Sequence, residues 1–258
     1  MRDWIGIFDS GMGGISVLHA ARRVLPHENF LYYGDNGNAP YGPRPVEEIR
    51  RLTGAAIDRL LERGVKAIVI ACNTATSAYA EILRARLTMP VVGMEPALKP
   101  AQAARRGGEI LVLATHATLT LPKFQRLMER YGDAAIPVVG EGLVELVEAG
   151  LAGTPAADAA LERLLAPYRS RPIDCIVLGC THYPFLSEAM HRVIGDRDIR
   201  LVNPAAAVEQ RTETLLSEGG IEASGGSRPV YEFMTSADEA YRQRLVAKSE
   251  EARTMRFE

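Results

Sequence analysis

Two similar segments constrain the fold of this chain more than any other feature: IVIACNTATS at residues 68–77 and IVLGCTHYPF at residues 176–185. In each segment, a run of aliphatic residues ends on a small residue and a cysteine, and polar side chains follow. The aliphatic run predicts a strand of a parallel sheet, because such strands are buried on both faces. We therefore expect Cys72 and Cys180 just beyond the carboxyl ends of two strands, where open α/β sheets bind ligands.

The pattern around the two cysteines repeats along the chain. Cys72 lies 62 residues after Ser10, which ends the first predicted strand, and Cys180 lies 65 residues after Thr115, which ends the corresponding strand of the second half. In both halves, 24 residues separate the cysteine from the proline that follows the next strand. Alternating strands and helices indicate parallel sheets covered on both faces. The expected architecture is α/β, with two similar doubly wound parallel-sheet domains that face each other across a central active-site cleft.

The domain boundaries follow from where the second half ends, near Asn203. The helix, strand and final helix that remain are expected to pack back onto the first half. The predicted first domain is therefore discontinuous and comprises residues 1–95 and 205–258. The predicted second domain comprises residues 96–204.

Composition and charge favour a globular protein with a small ligand. Of the 258 residues, 47% are hydrophobic, which is enough to build a buried core. The formal net charge is −2 and charges of both signs are scattered, so neither nucleic acid nor a membrane surface is expected as a partner. No apolar run approaches the roughly 18 residues of a membrane span, and the N-terminus lacks the layout of a signal peptide. Three scattered cysteines form no disulfide pattern, so the expected location is the cytoplasm.

The paired cysteines favour a particular chemistry. A cysteine between a strand end and a helix N-terminus experiences the positive end of the helix dipole, which favours the thiolate. If two such cysteines face each other, a thiolate can remove a proton from one face of a carbon while a thiol supplies one from the other. The sequence therefore predicts racemisation or epimerisation, with neither a cofactor nor a metal. Asp9 and His182 are candidate proton shuttles, and donors for substrate carboxylates are available from Ser10, Asn73, Thr74, Thr181, His182 and the backbone near Gly42.

Other readings of these residues also have physical support. The glycines of residues 9–14 are able to cradle a phosphate, but no lysine follows and the dinucleotide-binding spacing is absent, so a tight turn explains them. Cys175 lies inside its strand and is interpreted as a structural thiol.

Cys180 and His182 superficially suggest a cysteine-dependent hydrolase or transferase, which would leave Cys72 without a role. A catalytically inactive binding protein of the same fold would be expected to lose one thiol. The remaining histidines show no metal-ligand spacing.

Five motifs together resemble the glutamate racemase family of the aspartate/glutamate racemase superfamily: IGIFDSGMGG, YYGDNGNAPYG, ACNTATS, VVGMEP and GCTHYP, in this order. The resemblance extends over nearly the whole chain. It implies a cofactor-independent isomerase that interconverts L- and D-glutamate for peptidoglycan synthesis. It also implies two α/β domains with the active site between them, and usually a homodimer. An aspartate or other amino-acid racemase of the same superfamily is the alternative.

The resemblance also implies roles for individual residues. Cys72 matches the base that acts on the D-enantiomer, and Cys180 matches the base that acts on the L-enantiomer. Glu148, Asp9 and His182 complete the predicted catalytic set. The residues that match substrate-binding positions are Asp9, Ser10, Tyr41, Gly42, Asn73, Thr74, Thr115, Thr118, Thr181 and His182.

Three places depart from the usual pattern of the family. Leu121 and Phe124 stand where the family often has a serine and a tyrosine, and Gly140-Glu141-Gly142 replaces a common Cys-Pro segment. These departures affect the expected details of subsites and of any dimer interface, and they leave the paired cysteines in place.

Overall fold

In a computed structural model, which describes residues 4–223, 225 and 228–255, all strand pairs are parallel and two separate sheets form. The first sheet has the order β4-β3-β1-β2-β9 and the second has the order β6-β5-β7-β8. The predicted α/β class with two parallel sheets is confirmed. The strands are β1 (Trp4–Asp9), β2 (Asn29–Gly34), β3 (Val65–Ile70), β4 (Val91–Gly93), β5 (Glu109–Ala114), β6 (Ala135–Val139), β7 (Ile173–Gly179), β8 (Arg200–Val202) and β9 (Tyr231–Thr235).

Helices connect the strands and cover the sheets. Those that follow strands of the first sheet are α1 (Ile15–Val24), α2 (Val46–Glu62), α3 (Asn73–Arg86), α4 (Leu98–Ala103) and α11 (Glu239–Glu251). Those that follow strands of the second sheet are α5 (His116–Thr120), α6 (Pro122–Tyr131), α7 (Leu143–Glu148), α8 (Pro155–Leu165), α9 (Ser187–Ile194) and α10 (Ala205–Glu218). Short 3₁₀ turns lie at Asn36–Asn38, Ala166–Tyr168, Tyr183–Leu186 and Ala252–Thr254. No helix among the described residues is long and apolar enough to cross a membrane.

The strands that carry the two cysteine motifs lie inside their sheets rather than at an edge. β3 pairs with β1 on one side and β4 on the other, and β7 pairs with β5 and β8. Every residue of β1 is buried, as are nearly all residues of β3 and β7. Burial on both faces explains why these strands read as continuous aliphatic runs.

Strand register brings polar residues together at one edge of each sheet. Phe8 of β1 pairs with Ile70 of β3, so the residues that follow both strands lie at the same carboxyl edge. In the second sheet, Ala114 of β5 pairs with Gly179 of β7, and Thr115 and Cys180 come next along the chain.

The C-terminal segment returns to the first sheet. β9 pairs in parallel with β2, and α10 and α11 both pack against α1. The residue limits of the two domains stay a prediction.

The segment after β5 contains a short helix that the sequence pattern did not predict. A separate short helix, α5, precedes α6. The Thr115 side chain caps α5 by accepting a hydrogen bond from the Thr118 amide, and Leu121 is extended before Pro122. The residue before a proline avoids the helical conformation, so α5 cannot run on into α6.

Candidate active site

The carboxyl edges of the two sheets meet around one small cavity. Its volume is about 20 Å³, which is room for about one water molecule. A larger cavity of about 410 Å³ adjoins it and shares Pro40, Gly42, Thr115 and Val144 with it. The residues that line the small cavity are Ser10, Pro40, Tyr41, Gly42, Cys72, Asn73, Thr74, Thr115, Val144, Gly179, Cys180, Thr181 and His182.

Ten of the thirteen site residues named from the sequence line this cavity, and the other three lie directly behind the lining. Asp9 accepts a hydrogen bond from Thr181, and Glu148 is hydrogen-bonded to His182. Thr118 is hydrogen-bonded to Thr74 and Thr115, which are both lining residues. Three lining residues were not anticipated from the sequence: Pro40, Val144 and Gly179. Pro40 lies in the loop after β2, where residues 34–43 include three glycines and two prolines. A long loop of this composition is a sequence signal for a binding loop.

Cys72 occupies the N-cap position of α3. Its sulfur accepts a hydrogen bond from the Ala75 amide at 3.4 Å and lies 3.3 Å from the Ser10 hydroxyl. Contrary to the sequence-based expectation of a thiolate, burial raises the pKa of the Cys72 thiol to about 12, and the nearby Asp9 carboxylate adds to the increase. The hydrogen bonds from Ser10 and Ala75 lower the pKa but do not offset burial. In this closed arrangement, Cys72 is therefore a neutral thiol at neutral pH.

Cys180 has different surroundings from Cys72. A 3₁₀ turn at Tyr183–Leu186 separates it from α9, so the α-helix N-terminus expected beside this cysteine is not adjacent. Its sulfur instead lies 3.7 Å from Nδ1 of His182. An imidazole at this distance is able to exchange a proton with the thiol.

His182 links Cys180 to Glu148. Its Nε2 atom lies 2.6 Å from Oε1 of Glu148, and the same oxygen accepts a hydrogen bond of 2.8 Å from the Met12 amide. Burial opposes a charge on His182, but the contacts with Cys180 and Glu148 outweigh burial and hold the histidine pKa well above its usual value. Burial also opposes a charge on Glu148, whose pKa is nevertheless lowered by hydrogen bonds from His182 and Tyr241. The arrangement favours an imidazolium between a sulfur and a carboxylate.

Asp9 is fully buried, and its charge interacts with Cys72 and with His182. Its carboxylate accepts hydrogen bonds of 3.1 Å from the Gly11 amide and from the Thr181 hydroxyl. Burial raises the pKa of Asp9, while the charge of His182 and the hydrogen bonds oppose that increase. A carboxyl group that is easily protonated in this place suits a proton-transfer role.

Asn73 and three threonines supply neutral polar groups. Asn73 is 2% exposed, and neither its amide nitrogen nor its oxygen has a hydrogen-bond partner in the protein. Leaving such a group unpaired is costly, which indicates a place for a polar ligand. The hydroxyls of Thr74, Thr115 and Thr118 lie 2.9–3.1 Å from one another and join α3 to α5.

The loop after β2 is held by Asp35. The Asp35 side chain is buried and accepts hydrogen bonds from the Tyr41 hydroxyl at 2.5 Å and from the side-chain amide of Asn38 at 3.0 Å. Burial raises the pKa of Tyr41, and the adjacent Asp35 carboxylate adds to that increase. Tyr41 therefore stays a hydrogen-bond donor to Asp35, and Asp35 fixes the loop that brings Gly42 to the cavity.

The glycines after β1 are explained by close approach rather than by turn geometry. A Cβ atom on Gly13 would lie 2.5 Å from Oγ1 of Thr181 and would also clash with the His182 ring. A Cβ on Gly11 would lie 3.0 Å from Nε2 of His182 and would clash with Glu148. Neither glycine has a positive φ. The lack of a side chain lets the second sheet's polar residues reach the first sheet.

Cys175 is fully buried inside β7 and lies outside this cavity. Within residues 4–223, 225 and 228–255, no group of three or more histidine, cysteine, aspartate or glutamate side chains is arranged to hold a metal ion.

Similarity to known proteins agrees with this arrangement. The sequence model of the Asp/Glu/Hydantoin racemase family matches residues 16–211, which include both cysteine motifs. This chain belongs to the Asp/Glu/Hydantoin racemase family. It is therefore an isomerase of the amino-acid racemase type.

Individual members of the family resemble this chain over most of its length. It is 45% identical over 239 residues to a glutamate racemase from Herpetosiphon aurantiacus, and the aligned region covers 92% of this chain and 94% of the relative. It is 43% identical over 239 residues to a glutamate racemase from Clostridium perfringens strain 13, with 91% of each chain covered. A crystal structure of Escherichia coli glutamate racemase with L-glutamate and the activator UDP-MurNAc-Ala superposes with a TM-score of 0.87 at 32% identity. That match covers 98% of this chain and 96% of the other.

Proposed function

We propose that this protein is a glutamate racemase that interconverts L- and D-glutamate with Cys72 and Cys180 as its two proton-transfer groups. The observation that carries the proposal is that two cysteines, at the ends of corresponding strands in two sheets, line one cavity. The proposal includes neither a metal nor an organic cofactor, because the two thiols already supply an acid and a base.

The proposed reaction needs one proton on each side of the α-carbon. When L-glutamate is bound, the Cys180 thiolate removes the α-proton and the Cys72 thiol donates its proton to the opposite face, which gives D-glutamate. Cys180 is then a thiol and Cys72 a thiolate, which is the form that accepts D-glutamate. Proton exchange with solvent returns the enzyme to its first form. This assignment of each cysteine to one enantiomer follows the resemblance to the glutamate racemase family.

The neighbouring groups have complementary tasks in this proposal. Glu148 holds His182 beside Cys180, where the ring is within reach to exchange a proton with the sulfur. Asp9 lies within the electrostatic reach of both Cys72 and His182 and is positioned to shuttle protons. The unpaired amide of Asn73 is available to a substrate carboxylate. The other predicted substrate contacts come from Ser10, Tyr41, Gly42, Thr74, Thr115, Thr118, Thr181 and His182.

Isotope exchange with purified protein tests the two-base reaction. In D₂O with a chelator present, L-glutamate should give D-glutamate that carries deuterium at the α-carbon, while the remaining L-glutamate keeps its hydrogen early in the reaction. Complete loss of activity on chelation, or a cofactor chromophore in the active protein, would overturn the cofactor-independent part of the proposal. A lack of any racemisation would overturn the proposal itself.

The two cysteines can be separated with an analogue that carries chloride at the β-carbon. Removal of its α-proton expels chloride and forms a carbon–carbon double bond, so no proton is needed from the opposite face. Cys72→Ser should lose elimination from the D-analogue and keep it from the L-analogue, and Cys180→Ser should show the reverse. Cys175→Ser is the control and should racemise at nearly the original rate. If both active-site variants lost elimination from the same enantiomer of the analogue, separate roles for Cys72 and Cys180 would be contradicted.

Glutamate is preferred to aspartate on the strength of the family resemblance and the named relatives. One methylene group changes discrimination by only about 1–3 kcal/mol, so the two amino acids have to be compared directly. We expect kcat/KM for glutamate to exceed the value for aspartate. An aspartate value equal to or above that for glutamate would reject this assignment.

The physiological part of the proposal rests on the resemblance alone. It comprises supply of D-glutamate for peptidoglycan, a cytoplasmic location and a homodimer. Light scattering of the purified protein measures the oligomeric state. Restoration of growth in a D-glutamate-requiring bacterium, without added D-glutamate, tests the biosynthetic role.

A further inference from the structure

We propose that Tyr241 is a positioning residue for the half-reaction at Cys180, acting through Glu148 and His182. This inference rests on the proposed racemase function and adds a residue that neither the motifs nor the cavity lining identifies. Tyr241 lies in α11, 93 residues after Glu148, and donates a hydrogen bond from its hydroxyl to Oε2 of the Glu148 carboxylate.

The two oxygens of Glu148 have separate partners. Oε1 contacts Nε2 of His182 and accepts from the Met12 amide, while Oε2 accepts from Tyr241. A carboxylate held at both oxygens cannot rotate freely about its terminal bond. The Tyr241 hydroxyl therefore fixes the orientation in which Oε1 faces the histidine. It also stabilises the ionised form of Glu148, because hydrogen bonds to a carboxylate favour its charge.

Neighbouring contacts hold the tyrosine itself in place. The Arg244 guanidinium lies 4.7 Å from the centre of the Tyr241 ring, and its Nη2 donates a 2.7 Å hydrogen bond to the backbone oxygen of Glu148. Burial and the adjacent Glu148 carboxylate raise the pKa of Tyr241, so the phenol remains a donor across the working pH range.

The hydrogen bonds from Tyr241 and Glu148 lead through His182 directly to the sulfur of Cys180, whereas the link from His182 to Cys72 is indirect, through the charge of Asp9. Cys180 contacts His182, whereas the Cys72 sulfur contacts the Ser10 hydroxyl and the Ala75 amide. A change at Tyr241 should therefore affect proton removal by Cys180 much more than proton removal by Cys72. A merely structural role for Tyr241 predicts equal losses for both.

The test is Tyr241→Phe, which keeps the ring and removes the hydroxyl. Elimination from the β-chloro L-analogue should fall about tenfold in kcat/KM, the effect of losing one hydrogen bond to a charged group. Elimination from the D-analogue should change by less than about twofold. The acidic limb of the pH profile should move to higher pH for the L-analogue alone, because the pKa of Glu148 rises when it loses a donor.

Two further variants separate positioning from general damage. Tyr131→Phe removes a tyrosine hydroxyl from α6, outside the site, and should leave both eliminations unchanged. In a Glu148→Gln background, which already lacks the carboxylate, Tyr241→Phe should cause no additional selective loss.

The outcomes distinguish this inference from the proposed function. Equal loss with both analogues, no loss with either, or an undiminished selective effect in the Glu148→Gln background would overturn the role of Tyr241. If the unmodified protein does not racemise glutamate, the proposed function fails first.

Discussion

At the scale of single residues, Asn73 lowers the stability of the folded protein and leaves its side-chain amide available to bind a ligand. Its amide is buried without a partner beside both cysteines. Replacing an unpaired buried polar group by an apolar one of similar shape is neutral or stabilising. A residue that lowers stability in the free protein and lines the cavity is typical of a ligand contact.

We expect Asn73→Leu to increase the free energy of unfolding by about 1–2 kcal/mol and to lower kcat/KM for glutamate at least about tenfold. Thr53→Val is the matched control, because Thr53 is also fully buried with an unpaired side-chain oxygen but lies in α2, outside the cavity. It should gain stability without losing activity. Urea unfolding and steady-state kinetics measure the two effects, and an Asn73→Leu protein with unchanged kcat/KM would exclude the amide as a substrate contact.

At the scale of secondary-structure elements, the turn between β1 and α1 is where the two sheets come closest. Gly13→Ala places a methyl group against Thr181 and His182, which are both buried. We expect a loss of about 1–3 kcal/mol in stability, as for other overpacked sites, together with reduced activity. In contrast, Gly153→Ala meets nothing within 4 Å and should leave both properties nearly unchanged. Thermal unfolding and racemisation assays would contradict this account if the two variants behaved alike.

The α10 helix carries a buried acid that the proposed reaction does not use. Glu209 is fully buried, neither of its carboxylate oxygens has a partner, and burial raises its pKa from 4.5 to about 8. Because the unfolded chain releases this proton at lower pH than the folded protein, stability should fall as pH rises from about 4.5 to about 8 and then level off. A shift of this size corresponds to a few kcal/mol, on the order of 1.4 per pKa unit.

Glu209→Gln keeps the shape of the side chain and removes its titration. The variant should be less sensitive to pH in urea unfolding between pH 5 and pH 9, and more stable than the unmodified protein at pH 9. Glu213→Gln, on the exposed face of the same helix, should keep the original pH dependence. Identical pH profiles for the Glu209 variant and the unmodified protein would show that Glu209 does not titrate in this range.

At the scale of the whole molecule, the two sheets must move apart before a substrate can enter. The cavity between them holds about one water molecule, and Gly42 and Thr115 line both this cavity and the larger one beside it. A Cβ atom on Gly42 would lie 3.2 Å from the Thr115 Cβ. The Cβ atoms of a disulfide lie about 3.5–4.5 Å apart, so a small separation of the two segments would let cysteines at these positions form one.

A reversible cross-link at this contact tests the opening motion. When the double variant Gly42→Cys/Thr115→Cys is oxidised, its racemase activity should fall at least about tenfold. The disulfide would prevent the two sheets from moving apart and so would exclude substrate. Reduction should restore the rate of the reduced protein. The two single variants, treated with the same oxidant, control for damage to Cys72 and Cys180. Unchanged activity in protein with a verified disulfide would show that substrate enters by another route.

The local pattern of the chain was sufficient to predict the strands and the edge at which the site lies. Aliphatic runs mark the buried strands, and in a parallel α/β sheet the residues after those runs share one edge. The sequence therefore predicts that Cys72, Asn73, Cys180 and His182 lie near one another, and all four line the small cavity. The short helix α5 was not predicted, because its 5 residues are too few to show a helical period.

The sequence by itself determined the fold class, the repeat of two cysteine-bearing strands and the family. These depend on periodicity and on residue types that act locally. Only the tertiary structure decided the high pKa of Cys72, the need for Gly11 and Gly13, and the contact of Tyr241 with Glu148. Each of these depends on groups that are distant in the chain and are brought together when the sheets pack. Burial, clashes and hydrogen bonds between such groups are properties of that packing, so no local pattern encodes them.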